Sequence, residues 1–87
     1  MPGISRVKMD TAGGIILGNL APTVFVNGKP IAVIGALVST HGLSPHDGPV
    51  MVSGSGNVFA NNRKVCRKGD VATCGHRSTG SGDVFAN

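Results

Sequence analysis

Residues 24–42 read VFVNGKPIAVIGALVSTHG, and most of this stretch returns at residues 58–75 as VFANNRKVCRKGDVATCG, with one gap near the end. The pair Asn27-Gly28 in the first copy corresponds to Asn61-Asn62 in the second. Asn and Gly tolerate a positive φ, so each pair predicts a tight turn between two short strands. The unit that repeats is therefore a β-hairpin, and its repetition predicts a fold with internal pseudo-symmetry.

A shorter repeat extends this pattern to the end of the sequence. Residues 54–61, GSGNVFAN, return at residues 80–87 as GSGDVFAN, so a further copy begins there. Helical periodicity is absent, because 14 Gly and 5 Pro are spread over the 87 residues. Short apolar runs that alternate with turn residues are the candidate strands, namely 15–17, 23–26, 31–34, 50–52, 58–60 and 65–67. We predict one all-β domain over residues 1–87.

The composition predicts a thin hydrophobic core. The chain has no Trp or Tyr, and each of its 3 Phe follows a Val, at Val24-Phe25, Val58-Phe59 and Val84-Phe85. We expect these Phe side chains to be buried in the core. Val, Ile, Leu and Ala bury less area than aromatic rings, so a chain of this length needs a disulfide, a metal or a partner chain for stability.

The net charge of +4 is concentrated in one segment. Four of the eight Lys and Arg residues lie between Arg63 and Lys68, which is a local basic ridge. Interleaved aromatic residues and a zinc-finger or helix-turn-helix spacing are missing, so the sequence favours an exposed strand edge over nucleic-acid binding. No signal peptide and no run of about 20 apolar residues is present. We expect the protein to be made in the cytoplasm and to leave the cell only if a machine carries it.

Two short pairs of residues have the composition of a metal site. They are His41-x4-His46 and Cys74-x-His76, and they use all 3 histidines of the chain. Structural zinc sites have four nitrogen or sulfur ligands, which commonly come as two short pairs far apart in sequence. Because His41 and Cys74 fall at matching points of the repeat, the sequence predicts a structural zinc site formed by these four residues.

Other uses of these residues remain open at this stage. Cys66 corresponds to Ala32 of the first copy, which favours a small buried residue, but a ligand role or a disulfide with Cys74 is not excluded. A catalytic zinc keeps an open position near a carboxylate, and Asp47 adjoins His46. The chain has no Glu, and the ligand set is already full. We therefore predict no catalytic residues, with a small metal-dependent hydrolytic effector as the alternative.

The ordered motifs together resemble those of PAAR-repeat proteins, and the match covers nearly the whole chain. The motifs that carry it are VFVNGKPIAV (24–33), THG (40–42), GSGNVF (54–59), VCRKGD (65–70) and TCGH (73–76). The tetrad that names the family is degenerate here, as Pro30-Ile31-Ala32-Val33 and Lys64-Val65-Cys66-Arg67. Many members also have a His in a Gly-Asp-x-x-x-His-Gly-Gly context. This chain has Asp10-Thr11-Ala12-Gly13-Gly14 instead, so its ligands must come from later positions.

The resemblance implies a small cone of β-hairpins with pseudo-three-fold symmetry and a zinc held near the tip by three His and one Cys. Members of the family cap the trimeric β-helical spike of type VI secretion systems (VgrG-like) or the central spike of contractile phage tails. The resemblance thus implies a non-enzymatic tip for envelope piercing, with a spike partner, possible effector cargo, transient contact with a target membrane and no nucleic acid. Any cargo is expected to be a separate chain.

Overall fold

The computed structural model describes residues 2–44 and 46–87, and all regular secondary structure in them is β. Within these two ranges, six two-residue strands form three antiparallel hairpins, β1 with β2, β3 with β4 and β5 with β6. Their bounds are β1 Thr11–Ala12, β2 Gly14–Ile15, β3 Phe25–Val26, β4 Lys29–Pro30, β5 Phe59–Ala60 and β6 Arg63–Lys64. Among the described residues, no helix is long and apolar enough to span a membrane. The all-β prediction is confirmed.

Both predicted hairpin turns are present. Asn27 and Gly28 have φ values of 53° and 77°, and Asn61 and Asn62 have values of 50° and 64°. The register pairs Val26 with Lys29 and Ala60 with Arg63, so each turn contains two residues. The left-handed region suits Asn and Gly, which explains why the repeat has these residue types at its turns.

One unit is formed by the two ends of the chain, and we number it the first because it includes the N-terminus; residues 24–42 belong to the second unit and residues 58–75 to the third. The N–H of Ile4 donates to the carbonyl of Val84 at 2.8 Å. Equivalent bonds join Ile31 to Val24 at 2.8 Å and Val65 to Val58 at 3.0 Å within the other two units. The incomplete copy that begins at residue 80 is thus completed by residues 2–4.

A closed cycle of backbone hydrogen bonds relates the three units. The N–H of Ser5 donates to Cys66 at 2.9 Å, that of Cys66 to Ala32 at 2.9 Å, and that of Ala32 to Ser5 at 3.0 Å. The bridges that join Arg6 to Ile31, Val33 to Val65 and Arg67 to Ile4 follow the same cycle. The units are therefore arranged around a pseudo-three-fold axis in a body measuring 32 × 23 × 22 Å.

This arrangement explains why the regular strands are shorter than the predicted apolar runs. The chain bends around the axis, so a run such as 31–34 pairs with two different units within a few residues. Ala32 donates to Ser5, whereas the next residue, Val33, forms its bridge with Val65. Runs 31–34, 50–52 and 65–67 consequently form single bridges instead of longer ladders.

Two clusters of buried apolar residues follow each other along the units. The first lies beside the hairpin turns, and Val24, Val58 and Val84 pack against it. Its buried members are Ile4, Ala21, Val26, Ile31, Val33, Ala60, Val65 and Ala86. The second adjoins the loops that contain the histidines; its buried members are Val7, Ala12, Ile16, Ala32, Ala36, Val38, Met51, Cys66 and Ala72. Most of these side chains are small, as the composition predicts.

The prediction that the Phe side chains are buried was wrong. Phe25, Phe59 and Phe85 are 59%, 55% and 47% exposed, although the preceding valines are half-buried. In a strand, successive side chains point to opposite faces, so a Val that faces the core turns the next Phe outward. The three positions are equivalent in the three units, and we call them the phenylalanine triplet.

One turn differs in chemistry among the three units. In two units an Arg and an Asp stabilise it: Arg6 Nε lies 2.8 Å from Asp10 Oδ2, and Arg67 Nε lies 3.0 Å from Asp70 Oδ2. Both Asp side chains are almost fully buried, and each also accepts the backbone N–H of its Arg. In the remaining unit the turn is apolar, and Ala36 takes the place of the Asp.

We expect the Asp70→Asn substitution to lower the free energy of unfolding by about 1–3 kcal/mol at pH 7, because it weakens the bonds from Arg67 and Ser53. Burial raises the pKa of Asp70, but the hydrogen bonds from Arg67 and Ser53 outweigh burial and hold the pKa below its usual value. The unfolded chain therefore binds the proton first, and the stabilisation is lost as the pH falls below about 4.

Urea unfolding of the two proteins between pH 7 and pH 2 measures this effect as their difference at each pH. The difference should shrink towards zero in acid. Asp83→Asn is the comparison, because that carboxylate also accepts hydrogen bonds, from Ser81 and Asn27, but is exposed and should contribute less. A difference between wild type and Asp70→Asn that stays constant down to pH 2 would contradict the assignment.

Candidate metal centre

The first predicted pair lies in the loop that connects two bridged segments. Val38 pairs with Ile16, and Val50 pairs with Leu37. The two ends of the loop between Val38 and Val50 therefore lie close together in the second unit. Within it the N–H of His41 donates to the carbonyl of His46 at 3.0 Å. This bond closes the loop on itself and brings the two imidazoles to the same side, where both are half-buried.

The second pair lies in the equivalent turn of the third unit. The N–H of Ala72 donates to the carbonyl of His76 at 3.0 Å, and that of Gly75 donates to the carbonyl of Ala72 at 2.9 Å. Gly75 has a φ of 88°, which a residue with a side chain rarely adopts. The tight turn presents Cys74, which is half-buried, and His76, which is exposed.

The structure brings the three imidazoles together and places the thiol of Cys74 beside one of them. Nδ1 of His46 lies 3.2 Å from Nε2 of His41, and Sγ of Cys74 lies 3.6 Å from the same Nε2 atom. One ring nitrogen from each of His41, His46 and His76 lies within 4.8 Å of the other two. The three ring centroids are separated by 4.9–5.0 Å. We call these four side chains the His/Cys cluster.

Two of these spacings, both at His41, are close to those in a tetrahedral metal site. The bond from zinc is about 2.0–2.1 Å long to an imidazole nitrogen and about 2.3 Å long to a thiolate sulfur. In a tetrahedron, these lengths place two nitrogens about 3.3 Å apart and a nitrogen and a sulfur about 3.6 Å apart. The separation between the nitrogens of His41 and His46 is 3.2 Å, and that between the nitrogen of His41 and the sulfur of Cys74 is 3.6 Å. His41, His46 and His76 thus form a group that could hold a metal ion, with the thiol of Cys74 adjacent to it.

A backbone carbonyl sets the orientation of His41. Nδ1 of His41 lies 2.9 Å from the carbonyl oxygen of Ser39, which can only accept, so Nδ1 carries the hydrogen. Nε2 is then the unprotonated nitrogen, and it faces His46 and Cys74. Fixing the second ring nitrogen in this way is the usual means by which a protein orients an imidazole ligand.

The first unit contributes no ligand to the cluster, but its turn reaches it. Residues 12–14, which we call the glycine turn, connect β1 and β2. Gly13 lies against the rings of His41 and His76, and Gly14 lies against Ser39. Sequence reasoning missed both glycines and the carbonyl of Ser39. The signal available was the pair Gly13-Gly14 itself, which the family resemblance treated only as the place of a missing His.

Cys66 lies outside the His/Cys cluster. It is fully buried in the same apolar cluster as Ala32, its counterpart in the repeat, and its Sγ–H donates weakly to the carbonyl of Ser53 at 3.7 Å. Burial, together with the charge of Asp70, raises the pKa of the Cys66 thiol to about 12. Cys66 and Cys74 are both free thiols. The structure therefore places Cys66 in the core, as a small neutral side chain.

The basic ridge is dispersed in the structure. Arg67 is held by Asp70, and Nη1 of Arg63 lies 3.5 Å from the carbonyl of Ile34. Lys64 and Lys68 are exposed, and β6 carries Arg63 and Lys64 on its outer edge. This arrangement fits the predicted role of a charged strand edge.

The sequence of this chain also matches a known family. Residues 8–78 match the PAAR motif, which is most of the chain and includes the whole His/Cys cluster. The chain belongs to the PAAR-motif family. Proteins of this family are spike-tip proteins of type VI secretion systems.

A curated relative is the protein named double-stranded DNA deaminase toxin A, from Burkholderia cenocepacia. It is 37% identical to this PAAR-motif chain over 84 residues, which cover 94% of the chain. The chain spans only 6% of the length of that relative. The similarity thus concerns a small segment of a much longer protein.

Proposed function

We propose that this PAAR-motif protein is a non-enzymatic structural tip that caps and sharpens a trimeric β-helical spike of a contractile injection machine, and that a bound zinc stabilises it. The machine is a type VI secretion system or a contractile phage tail. The observation that carries the proposal is the phenylalanine triplet, since it presents equivalent apolar side chains from all three units at the end away from the His/Cys cluster.

The symmetry of the chain supports a trimeric partner. The closed cycle through Ser5, Ala32 and Cys66 relates three units within a single chain. A trimeric β-helix ends in three identical strand edges, and a monomer with three similar units can cover all of them at once. One copy of this chain therefore completes one spike.

The phenylalanine triplet supports the location of that contact. Three half-exposed aromatic side chains on a small protein are unusual, because a chain with so little apolar material would gain stability by burying them. Aromatic residues are enriched among the anchors of protein interfaces. Each Phe would contact one of the three spike chains, and the valine before it would hold the hairpin on the core.

The His/Cys cluster supports a structural role for the metal. The apolar cluster beneath it contains small side chains, among them Ala12, Val38 and Ala72. When bound to His41, His46, Cys74 and His76, zinc supplies a cross-link between two loops that are far apart in sequence. Such a cross-link stiffens a narrow end that has no room for a larger core.

Most of the carboxylates have structural partners, which weakens the alternative of a metal-dependent hydrolytic effector. Asp10 and Asp70 are held by Arg6 and Arg67, and Asp83 accepts the hydroxyl of Ser81 at 2.6 Å. Asp47, next to His46, is exposed. Hydrolysis of a substrate that is lost in a His46→Ala variant would favour the effector over the tip.

The toxin relative supports a link to cargo. The segment similar to this chain is a small part of that protein, whose name describes a DNA deaminase toxin. A tip that travels with the spike could carry an effector through the target envelope, with transient contact between tip and membrane. We propose that this chain is delivered out of the cell in this way, without nucleic acid as a partner of its own.

The test is the composition of the complex with the trimeric spike protein from the same cell. Native mass spectrometry of the co-purified complex should give one copy of this chain for every three spike chains. The complex should persist in high salt, because the proposed contact is apolar. A stoichiometry of three tips per trimer, or the absence of a complex, would contradict the proposal.

A further inference from the structure

We propose that the glycine turn is a wall of the metal site: it donates no ligand, but it holds the rings of His41 and His76 in the positions from which they bind metal. Gly13 and Gly14 are thus positioning residues that act by lacking side chains. This inference rests on the proposed zinc site and concerns residues to which neither the family match nor the relative assigns a role.

The space beside Gly13 is filled by the ligands themselves. A methyl carbon built on Gly13 would overlap Nδ1 of His76, and it would lie 2.5 Å from Nε2 of His41. Real side-chain carbons essentially never come within 3.0 Å of such atoms. Nε2 of His41 is also the atom nearest to His46 and Cys74. Any side chain at position 13 would therefore displace two ligands at once.

Gly14 closes the other side of the same imidazole. A methyl carbon built there would overlap the carbonyl oxygen of Ser39 and lie 2.6 Å from its Oγ and 2.9 Å from Nδ1 of His41. That carbonyl is the group that receives the hydrogen of Nδ1. The hydroxyl of Ser39 in turn accepts the N–H of Ile15 at 2.9 Å, which ties the loop of His41 to β2. The glycine turn thus contacts His41 on both of its nitrogens.

The three units of the pseudo-symmetric fold contribute differently to the metal site. Equivalent turns in the second and third units provide the two ligand pairs, whereas the turn of the first unit provides backbone only. A backbone without side chains can approach the rings closely and exclude water from that side. Groups that orient metal ligands without touching the metal typically change metal affinity by about 10- to 100-fold when they are lost.

The chain offers a matched set of four Gly→Ala variants. Gly13→Ala combines a positive φ of 85° with the steric overlap, whereas Gly69→Ala has a φ of 94° and open space. Gly14→Ala introduces overlap without a positive φ, and Gly82→Ala introduces neither. Comparing Gly13→Ala with Gly69→Ala, and Gly14→Ala with Gly82→Ala, separates the effect of overlap with the ligand loops from the effect of backbone strain. Gly14→Ala also keeps the test available if Gly13→Ala fails to fold.

Affinity for Zn²⁺ is measured by competition with a chromophoric chelator, and the site is examined by the visible absorption of bound Co²⁺. We expect Gly13→Ala and Gly14→Ala to bind Zn²⁺ about 10- to 100-fold more weakly than Gly69→Ala and Gly82→Ala, with an altered Co²⁺ spectrum. In excess chelator, Gly13→Ala and Gly69→Ala should have similar thermal midpoints, because the unbound rings can turn away.

Two outcomes would overturn the inference. If the wild-type protein binds Zn²⁺ and all four variants bind it equally well with the same Co²⁺ spectrum, the glycine turn is not a wall of the site, and the proposed function is unaffected. If the wild-type protein binds neither metal, the proposed zinc site fails and the inference fails with it.

Discussion

Removing the metal with a chelator should lower the thermal midpoint of this protein by about 20 °C or more. The largest fully buried side chains are Ile16 and Met51, both in the apolar cluster beneath the His/Cys cluster, and the other buried members of that cluster are Val, Ala and Cys. We assume a loss of about 5 kcal/mol in the free energy of unfolding, which is well below the binding free energy of typical structural zinc sites. Such a loss would move the thermal midpoint of a domain of this size by about 20–40 °C. Differential scanning calorimetry with and without chelator measures the change.

A ligand variant and a loop control sharpen this test. His41→Ala should lower the midpoint as far as the chelator does, and the chelator should then have no further effect. Leu43→Ala is the matched control, because Leu43 lies in the same loop and is 89% exposed. It should keep the wild-type midpoint and its sensitivity to chelator. A wild-type midpoint that does not respond to chelator would contradict a structural metal.

The second large effect concerns the phenylalanine triplet. Replacing Phe25, Phe59 and Phe85 by Ser should weaken binding to the spike trimer by more than about 1,000-fold. An anchoring aromatic residue contributes about 2 kcal/mol to binding, roughly 30-fold in affinity. The combined loss of three such residues exceeds about 1,000-fold even if their contributions are not fully additive. Because these side chains are about half exposed, the thermal midpoint should change little. Surface plasmon resonance on immobilised spike trimer gives the affinity.

The control removes a similar apolar area elsewhere. Ile15, Leu37 and Val52 are 47%, 45% and 52% exposed, close to the values of the phenylalanine triplet, and they lie nearer the His/Cys cluster. Replacing these three by Ser should leave spike affinity within a few-fold of wild type. Equal losses in the two triple variants would mean that the spike does not recognise the phenylalanine triplet.

The repeats predicted much of this fold because they are local. Asn27-Gly28 and Asn61-Asn62 both turn where the sequence indicates, since the turn depends mainly on the φ preference of two residues. The unit that Ile4 forms with Val84 could not be read in this way, because it joins residues 80 positions apart in sequence. The Phe residues were misplaced for a different reason. Hydrophobicity alone favours burial, but the alternation of side chains along a strand turned them outward.

The three histidines that the structure brings together could be predicted from the sequence for a related reason. Metal ligands are rare residue types, and their pairing at matching points of a repeat stands out in a chain with 3 His and 2 Cys. The groups that position the ligands have no such signature. The carbonyl of Ser39 belongs to the backbone, and Gly13 resembles the other 13 glycines until the packing of the turn is known.

The most direct test of the metal centre is X-ray absorption spectroscopy at the zinc edge on the purified, unsupplemented protein. We expect one zinc per chain with three nitrogen ligands at about 2.0–2.1 Å and one sulfur at about 2.3 Å, and the sulfur should disappear in Cys74→Ser. A spectrum without sulfur, or a protein that binds no stoichiometric metal, would contradict this expectation.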